Sequence, residues 1–180
     1  MEVSSHALVQ RRTEGVNFKI GIFTNITHEH LDYHGTFDEY IKAKKMLFDD
    51  LGANSFALLN RDDFHNEVMV QNTKAEVYTY GLKTMADFKC KIIENDFTGL
   101  LLNIDNQEVW TRLIGRFNAY NVLTAYTAAK ILEEDSTEIL TEISKLTPVR
   151  GRFQQIKASN GITGIVDYAH TPDALLKVLE

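Results

Sequence analysis

The densest set of residues able to do chemistry lies near the start of the chain. Glu2, Ser4, Ser5 and His6 are followed by Asn25, His28, Glu29, His30, Asp32, Tyr33 and His34. Carboxylates and imidazoles are ligands for divalent ions, and the 24–35 segment has the composition of a loop after a strand, where open α/β sheets place their ligands. A metal or phosphate site and a merely solvated polar loop both account for this composition. His28-Glu29-His30 is not a zincin motif, which needs its two histidines one helical turn apart. His30 and His34 have that spacing, but the intervening aspartate and Gly35 favour a loop. Three further groups stand out. Lys44 falls on or beside the apolar face of a helix, either snorkelling to water or kept as a functional ionisable group. Gly115-Arg116-Phe117-Asn118-Ala119-Tyr120-Asn121 puts two asparagines on one face of a helix start, as an ordinary cap or as amides for a base edge. Arg150-Gly151-Arg152-Phe153 and Val166-Asp167-Tyr168-Ala169-His170-Thr171-Pro172 offer a strand-to-loop transition with an acidic residue at its tip.

The elements that must position these groups alternate in type, which favours an α/β sheet. Strands are expected over 19–24, 55–60 and 75–80, with a helix over 37–51 whose apolar residues recur at three- and four-residue spacing. Between Phe88 and Leu113 three shorter β runs, separated at Asn95-Asp96 and Asp105-Asn106, read as an antiparallel meander beside a parallel sheet. Helices follow over 118–132 and over 137–146, the latter capped by Ser136. Pro148 marks a break, so the expected division is 1–147 for a first domain and 148–180 for the beginning of a second. That second part offers a hairpin across Ser159-Asn160-Gly161 and a helix from Pro172, too little to bury a core of its own.

Bulk properties narrow the function classes. The 180 residues carry a net charge of −6 with a pI near 5.5, which argues against a nucleic-acid surface. No run approaches the roughly 20 apolar residues needed to span a bilayer, so no membrane insertion is expected and a cytoplasmic setting follows. One cysteine, Cys90, excludes an intrachain disulfide framework. The short basic clusters at Arg11-Arg12 and Lys42-Ala43-Lys44-Lys45 could still face an anionic small molecule.

Taken together, the segments MEVSSHAL, FTNITHEHLDYHGTFDEYIKAKKMLF, GRFNAYN, VRGRFQ and VDYAHTPDAL resemble the Mur ligase family, MurE type, in family order and from end to end of the chain. The resemblance implies a central ATPase domain with a mixed, mainly parallel sheet, followed by a Rossmann-like C-terminal domain. By resemblance Glu2 and His30 bind Mg2+, and Lys44 reacts with carbon dioxide to form a carbamate that ligates a second magnesium; Lys44 and His30 are then the catalytic pair. Ser4 and Arg12 match positions that contact UDP-N-acetylmuramoyl-dipeptide. Asn118 and Asn121 match the adenine-contacting segment, and Arg152 and Asp167 match residues that reach the nucleotide, with His170 as a further candidate. The implied reaction is ATP-dependent addition of a diamino acid, meso-diaminopimelate or L-lysine, to the muramoyl-dipeptide through an acyl phosphate. Other ligases of the superfamily, such as folylpolyglutamate or cyanophycin synthetases, and a non-catalytic nucleotide-binding relative are the alternatives. The family's lysine-bearing glycine loop is missing from the 180 residues, which implies an internal segment of a longer ligase, without activity on its own.

Overall fold

The computed structural model describes residues 1–27 and 31–179. The chain divides into two compact units, Met1–Phe88 and Lys89–Glu180.

In the first unit, β1 (Ile20–Phe23), β2 (Phe56–Asn60) and β3 (Glu76–Gly81) pair in parallel, with Ile20 opposite Phe56 and Leu59 opposite Thr79. The middle strand is buried along Ala57, Leu58 and Leu59. Continuous burial is what a parallel strand covered on both faces requires, so the apolar run FALLN suits this place. Helix α3 (Phe37–Asp49) links β1 to β2 and contributes Tyr40 and Phe48 to a core shared with Phe23, Leu59 and Met69. Its start is fixed by Thr36, whose hydroxyl accepts from the Glu39 amide at 3.3 Å, with Asp38 and Glu39 in the positively polarised first turn. The helix lies close on the sheet at Gly21, where a Cβ would stand 3.4 Å from Phe48 Cε1 and 2.9 Å from Cδ1 of Leu51, just past the helix.

Two short helices flank this layer. Helix α1 (Ser5–Val9) is capped by the Ser4 hydroxyl, which accepts from the Ala7 amide at 3.1 Å. Helix α2 (Leu31–His34) occupies part of the segment expected to be a loop. It ends at Gly35, whose φ of +75° suits glycine. After β2, α4 (Asn66–Met69) turns the chain toward β3.

In the second unit, β4 (Phe88–Asp96), β5 (Gly99–Ile104) and β6 (Gln107–Thr111) form an antiparallel meander. Its first turn falls one step later than the expected Asn95-Asp96 separator. Both residues remain in the strand, and Asp96 accepts from the Thr98 amide at 2.6 Å to close the turn. Asp105 and Asn106 both take positive φ, as a two-residue hairpin turn demands. Helix α5 (Arg116–Ile131) buries Ala119, Val122, Leu123 and Tyr126, and α6 (Ser136–Ser144) follows. The cap of α6 is Asp135 rather than Ser136. The Asp135 carboxylate accepts from the amides of Thr137 at 2.8 Å and Glu138 at 3.1 Å. The chain finishes with the antiparallel pair β7 (Gln154–Lys157) and β8 (Thr163–Val166), then α7 (Pro172–Leu179). Parallel and antiparallel strands with interleaved helices give the α/β class and mixed sheet expected from sequence.

Candidate functional site

In the first unit, the sequence-predicted residues gather around the contact of α1 with α2 and α3. Ser5 is almost fully buried, and its hydroxyl lies 2.9 Å from His34 Nε2. The His34 ring is 5.5 Å from His6 and 5.3 Å from Tyr40, while His6 lies 4.1 Å from Tyr33. Tyr40 is 4% exposed. One helical turn further along α3, the Lys44 ammonium sits 5.3 Å from the centroid of the Tyr40 ring, a cation–π contact. Lys44 itself is half-buried. The neighbouring Lys45 is buried and ion-paired with Asp49, so the two adjacent lysines have different environments.

Glu2 and Ser4 precede α1 and are exposed, as is Arg12. His30 lies outside the described residues, so its expected role at a metal has no structural account. Among the described residues no group of three or more His, Cys, Asp or Glu side chains could hold a metal ion. The donor chemistry nevertheless fits a magnesium ion under one condition. Glu2 offers an exposed carboxylate, and Lys44 can contribute an oxygen donor only once its ammonium has become a carbamate. As an ammonium, it repels a divalent cation.

A second feature of this unit was missed in the sequence. Asp62, two residues past the end of β2, accepts from three backbone amides of the loop after β3: Leu82 at 2.8 Å and Lys83 at 2.9 Å on one oxygen, Thr84 at 2.7 Å on the other. Asp63 accepts from the Ile26 amide at 3.1 Å and the His65 amide at 2.8 Å. These carboxylates fix loops at the carboxyl ends of β1, β2 and β3. The signal was present as adjacent aspartates directly after a strand.

The second unit brings together the remaining residues in two places. At the start of α5, Gly115 has φ +90°, and a Cβ there would meet Phe117 at 2.6 Å. Asn118 Nδ2 donates to Ile114 O at 2.7 Å, and Asn118 Oδ1 accepts from Asn121 Nδ2 at 3.1 Å. Asn118 is therefore used within its own helix, while Asn121 is exposed. In the last segment, Asp167 accepts from the Phe153 amide at 2.7 Å and from the Ala169 amide at 2.7 Å. Phe153 adopts φ +43° and packs its buried ring 5.6 Å from Phe117. Arg152 is exposed with its guanidinium 4.8 Å from the Tyr168 ring, and the His170 ring stands 4.9 Å from Tyr168. The local fold thus puts Arg152, Asp167, Tyr168 and His170 on one loop pair.

Residues 1–129 match the family model of the Mur ligase middle domain, and the chain belongs to the Mur ligase family. It is 57% identical over 180 residues to the UDP-N-acetylmuramoyl-L-alanyl-D-glutamate--2,6-diaminopimelate ligase of Cytophaga hutchinsonii, covering 100% of this chain and 37% of that protein. A solved structure of UDP-N-acetylmuramoyl-L-alanyl-D-glutamate--2,6-diaminopimelate ligase superposes with TM-score 0.80 at 34% identity, covering 99% of this chain and 38% of that one. The MurF ligase of Thermotoga maritima in complex with ADP superposes with TM-score 0.75, at 15% identity and covering 97% of this chain and 41% of that one, a likeness of fold alone. The chain spans a little over a third of the length of these relatives. Among the described residues no helix is long and apolar enough to cross a membrane.

Proposed function

We propose that this chain is the central part of an ATP-dependent amide-bond ligase of peptidoglycan precursor synthesis. The enzyme joins meso-diaminopimelate to the D-glutamate γ-carboxylate of UDP-N-acetylmuramoyl-L-Ala-D-Glu in the cytoplasm. The observation that carries this reading is 57% identity, over the whole chain, to a ligase named for that reaction. The names of the relatives favour diaminopimelate over L-lysine, a choice that the residues alone leave open. Residues 1–147 belong to the ATP-binding central domain and 148–180 begin the C-terminal domain.

The substrate carboxylate attacks the γ-phosphorus of ATP, the β,γ-bridging bond breaks, and an acyl phosphate and ADP result. The amine then attacks the acyl carbon, and phosphate leaves from the tetrahedral intermediate as the N–H proton is lost. Such transfers are accelerated chiefly by positioning and by fixed charge. Arg12 and Ser4 hold the anionic muramoyl-dipeptide. Asn121 presents an amide to the adenine edge, and Asn118 holds that amide in place. Arg152 approaches the phosphates, and Asp167 retains lone pairs to accept from ribose hydroxyls beyond the two backbone amides it already takes. Glu2, His30 and carbamylated Lys44 would hold Mg2+, which supplies charge neutralisation for the transferring phosphoryl group.

In the full-length ligase, ADP formation is expected to require both the muramoyl-dipeptide and diaminopimelate. ADP formation driven instead by a folate or by a polyaspartate primer would move the assignment to the folylpolyglutamate or cyanophycin synthetase branch. The 180-residue chain, containing no lysine-bearing glycine loop, is expected to leave ATP intact. Nucleotide binding by the full-length protein with no turnover on any of these acceptors would leave only the non-catalytic reading.

A further inference from the structure

The Lys44 ammonium lies within cation–π distance of a ring that is itself locked in place. Tyr40 is 4% exposed; its ring is 5.3 Å from His34, and His34 Nε2 is 2.9 Å from the buried Ser5 hydroxyl. A continuous line of contacts therefore runs from the first turn of α1, through His34 and Tyr40, to Lys44. The i, i+4 spacing of Tyr40 and Lys44 on α3 puts the two side chains next to each other before any tertiary contact is made. The face of an aromatic ring carries negative electrostatic potential, so it attracts a cation and disfavours an anion in the same place.

We propose that Tyr40 is a positioning residue for Lys44: its ring holds the side chain while it is an ammonium and releases it toward the ligand site when carbon dioxide adds. The inference rests on the reading of Lys44 as a carbamylated lysine. In that step the ammonium first gives a proton to water. The free amine lone pair then forms an N–C bond with carbon dioxide, one C=O π pair moves onto oxygen, and a second proton goes to solvent. A cation has become an anion, and its contact with the Tyr40 ring has changed sign. Tyr40 thereby stabilises the uncarbamylated state, and carbamylation itself moves the new oxygen donors away from the ring. Carbamylation and placement of the donor become a single event.

The test uses the 180-residue chain with lysine side chains isotopically labelled, the Lys44 signals being assigned by their loss in Lys44→Arg. In buffer free of carbon dioxide, the Lys44 Cε protons should be shifted upfield by the Tyr40 ring current. Labelled bicarbonate should produce a carbamate carbon signal while that upfield shift disappears. Tyr40→Phe keeps the ring and should behave like the parent chain. Tyr40→Leu removes it, and carbamate occupancy at the same subsaturating bicarbonate should rise roughly 3- to 10-fold, with thermal melting used to verify that this variant is folded. If Tyr40→Leu does not fold, the ring-current measurement on the parent chain decides alone. Carbamate formation with the Lys44 shift unchanged, or a folded Tyr40→Leu chain carbamylated like the parent, overturns the positioning role and leaves the ligase reading standing. No carbamate on Lys44 at any bicarbonate concentration overturns both the carbamate assignment and the role given to Tyr40.

Discussion

The two regions that carry the proposed site residues are held in place by different means. Around Lys44, the supporting groups are buried side chains packed against one another, with Ser5 1% and Tyr40 4% exposed. Around Asp167 the hairpin and the last helix leave much of their apolar surface open: Ile162 is 64% and Leu176 58% exposed. There the loop pair depends on one carboxylate bridging two backbone amides and on Phe153 packed against Phe117. Side-chain packing tolerates the loss of one polar partner because many contacts share the work. A loop tied by a single carboxylate does not. The first region is therefore expected to lose chemistry before structure, and the second to lose structure before chemistry.

The strongest way to break this comparison is Lys44→Ala in the full-length ligase. Removing one fixed group from a phosphoryl-transfer site typically costs about 100- to 1,000-fold in turnover, and the variant should melt within a few degrees of the parent because Lys44 is only half-buried. A small carboxylate such as acetate should restore part of the rate. Near-normal turnover in the alanine variant would sink the assignment, and a large fall in melting temperature with activity kept would make Lys44 a structural residue. Next in size is Asp167→Ala. Charge-assisted hydrogen bonds are worth about 1.5–3 kcal/mol, so the amides of Phe153 and Ala169 should exchange with solvent roughly 10- to 100-fold faster, while those of β2 keep their rates. Unchanged exchange at both amides would show that Phe153 packing alone holds the loop. Ser5→Ala should be milder, lowering stability by about 1 kcal/mol through loss of the His34 partner; a loss above about 3 kcal/mol would mean that this single hydrogen bond, rather than packing, organises the first region.

Much of this arrangement was legible in the sequence because the determining patterns are local. FALLN, an apolar run bounded by turn residues, could hardly be anything but a buried strand, and the spacing of Phe37, Tyr40, Ile41, Phe48 and Leu51 outlined α3 and the end of its packed face. Other features were not legible because they are settled by tertiary contacts. The segment Leu31–His34 was expected to be loop and is followed by a glycine, yet it is helical where His34 reaches back to Ser5. Asp135 and Ser136 are both good caps, and only the chain direction at that corner decides between them. The Tyr40–Lys44 pair was visible as spacing, but not that the tyrosine would be buried and stacked beside the lysine. The roles proposed for Glu2, Ser4, Arg12, Asn121 and Arg152 came from resemblance; all five side chains are exposed, and their local surroundings determine no ligand.

The smallest effect concerns the meander of the second unit, and it shows whether that unit's open C-terminal surface extends into its core. Cys90 on β4 is 4% exposed, and burial pushes its thiol from 9.0 up to about 12. A raised folded pKa means that the folded chain keeps a proton which the unfolded chain gives up. The stability linked to Cys90 is thus fully present below pH 9.0 and is lost as pH rises from there toward about 12. By one pH unit above the unfolded value the loss should be about 1 kcal/mol, and Cys90→Ala should remove this part of the alkaline slope while retaining the rest. A thiol reagent at mildly alkaline pH should accordingly label Cys90 only as fast as the unit opens. Labelling at the rate of a free thiol, with the native fold retained, would mean that the meander is as open as the hairpin, and the contrast would then lie between the two units rather than between a packed site and a tethered loop.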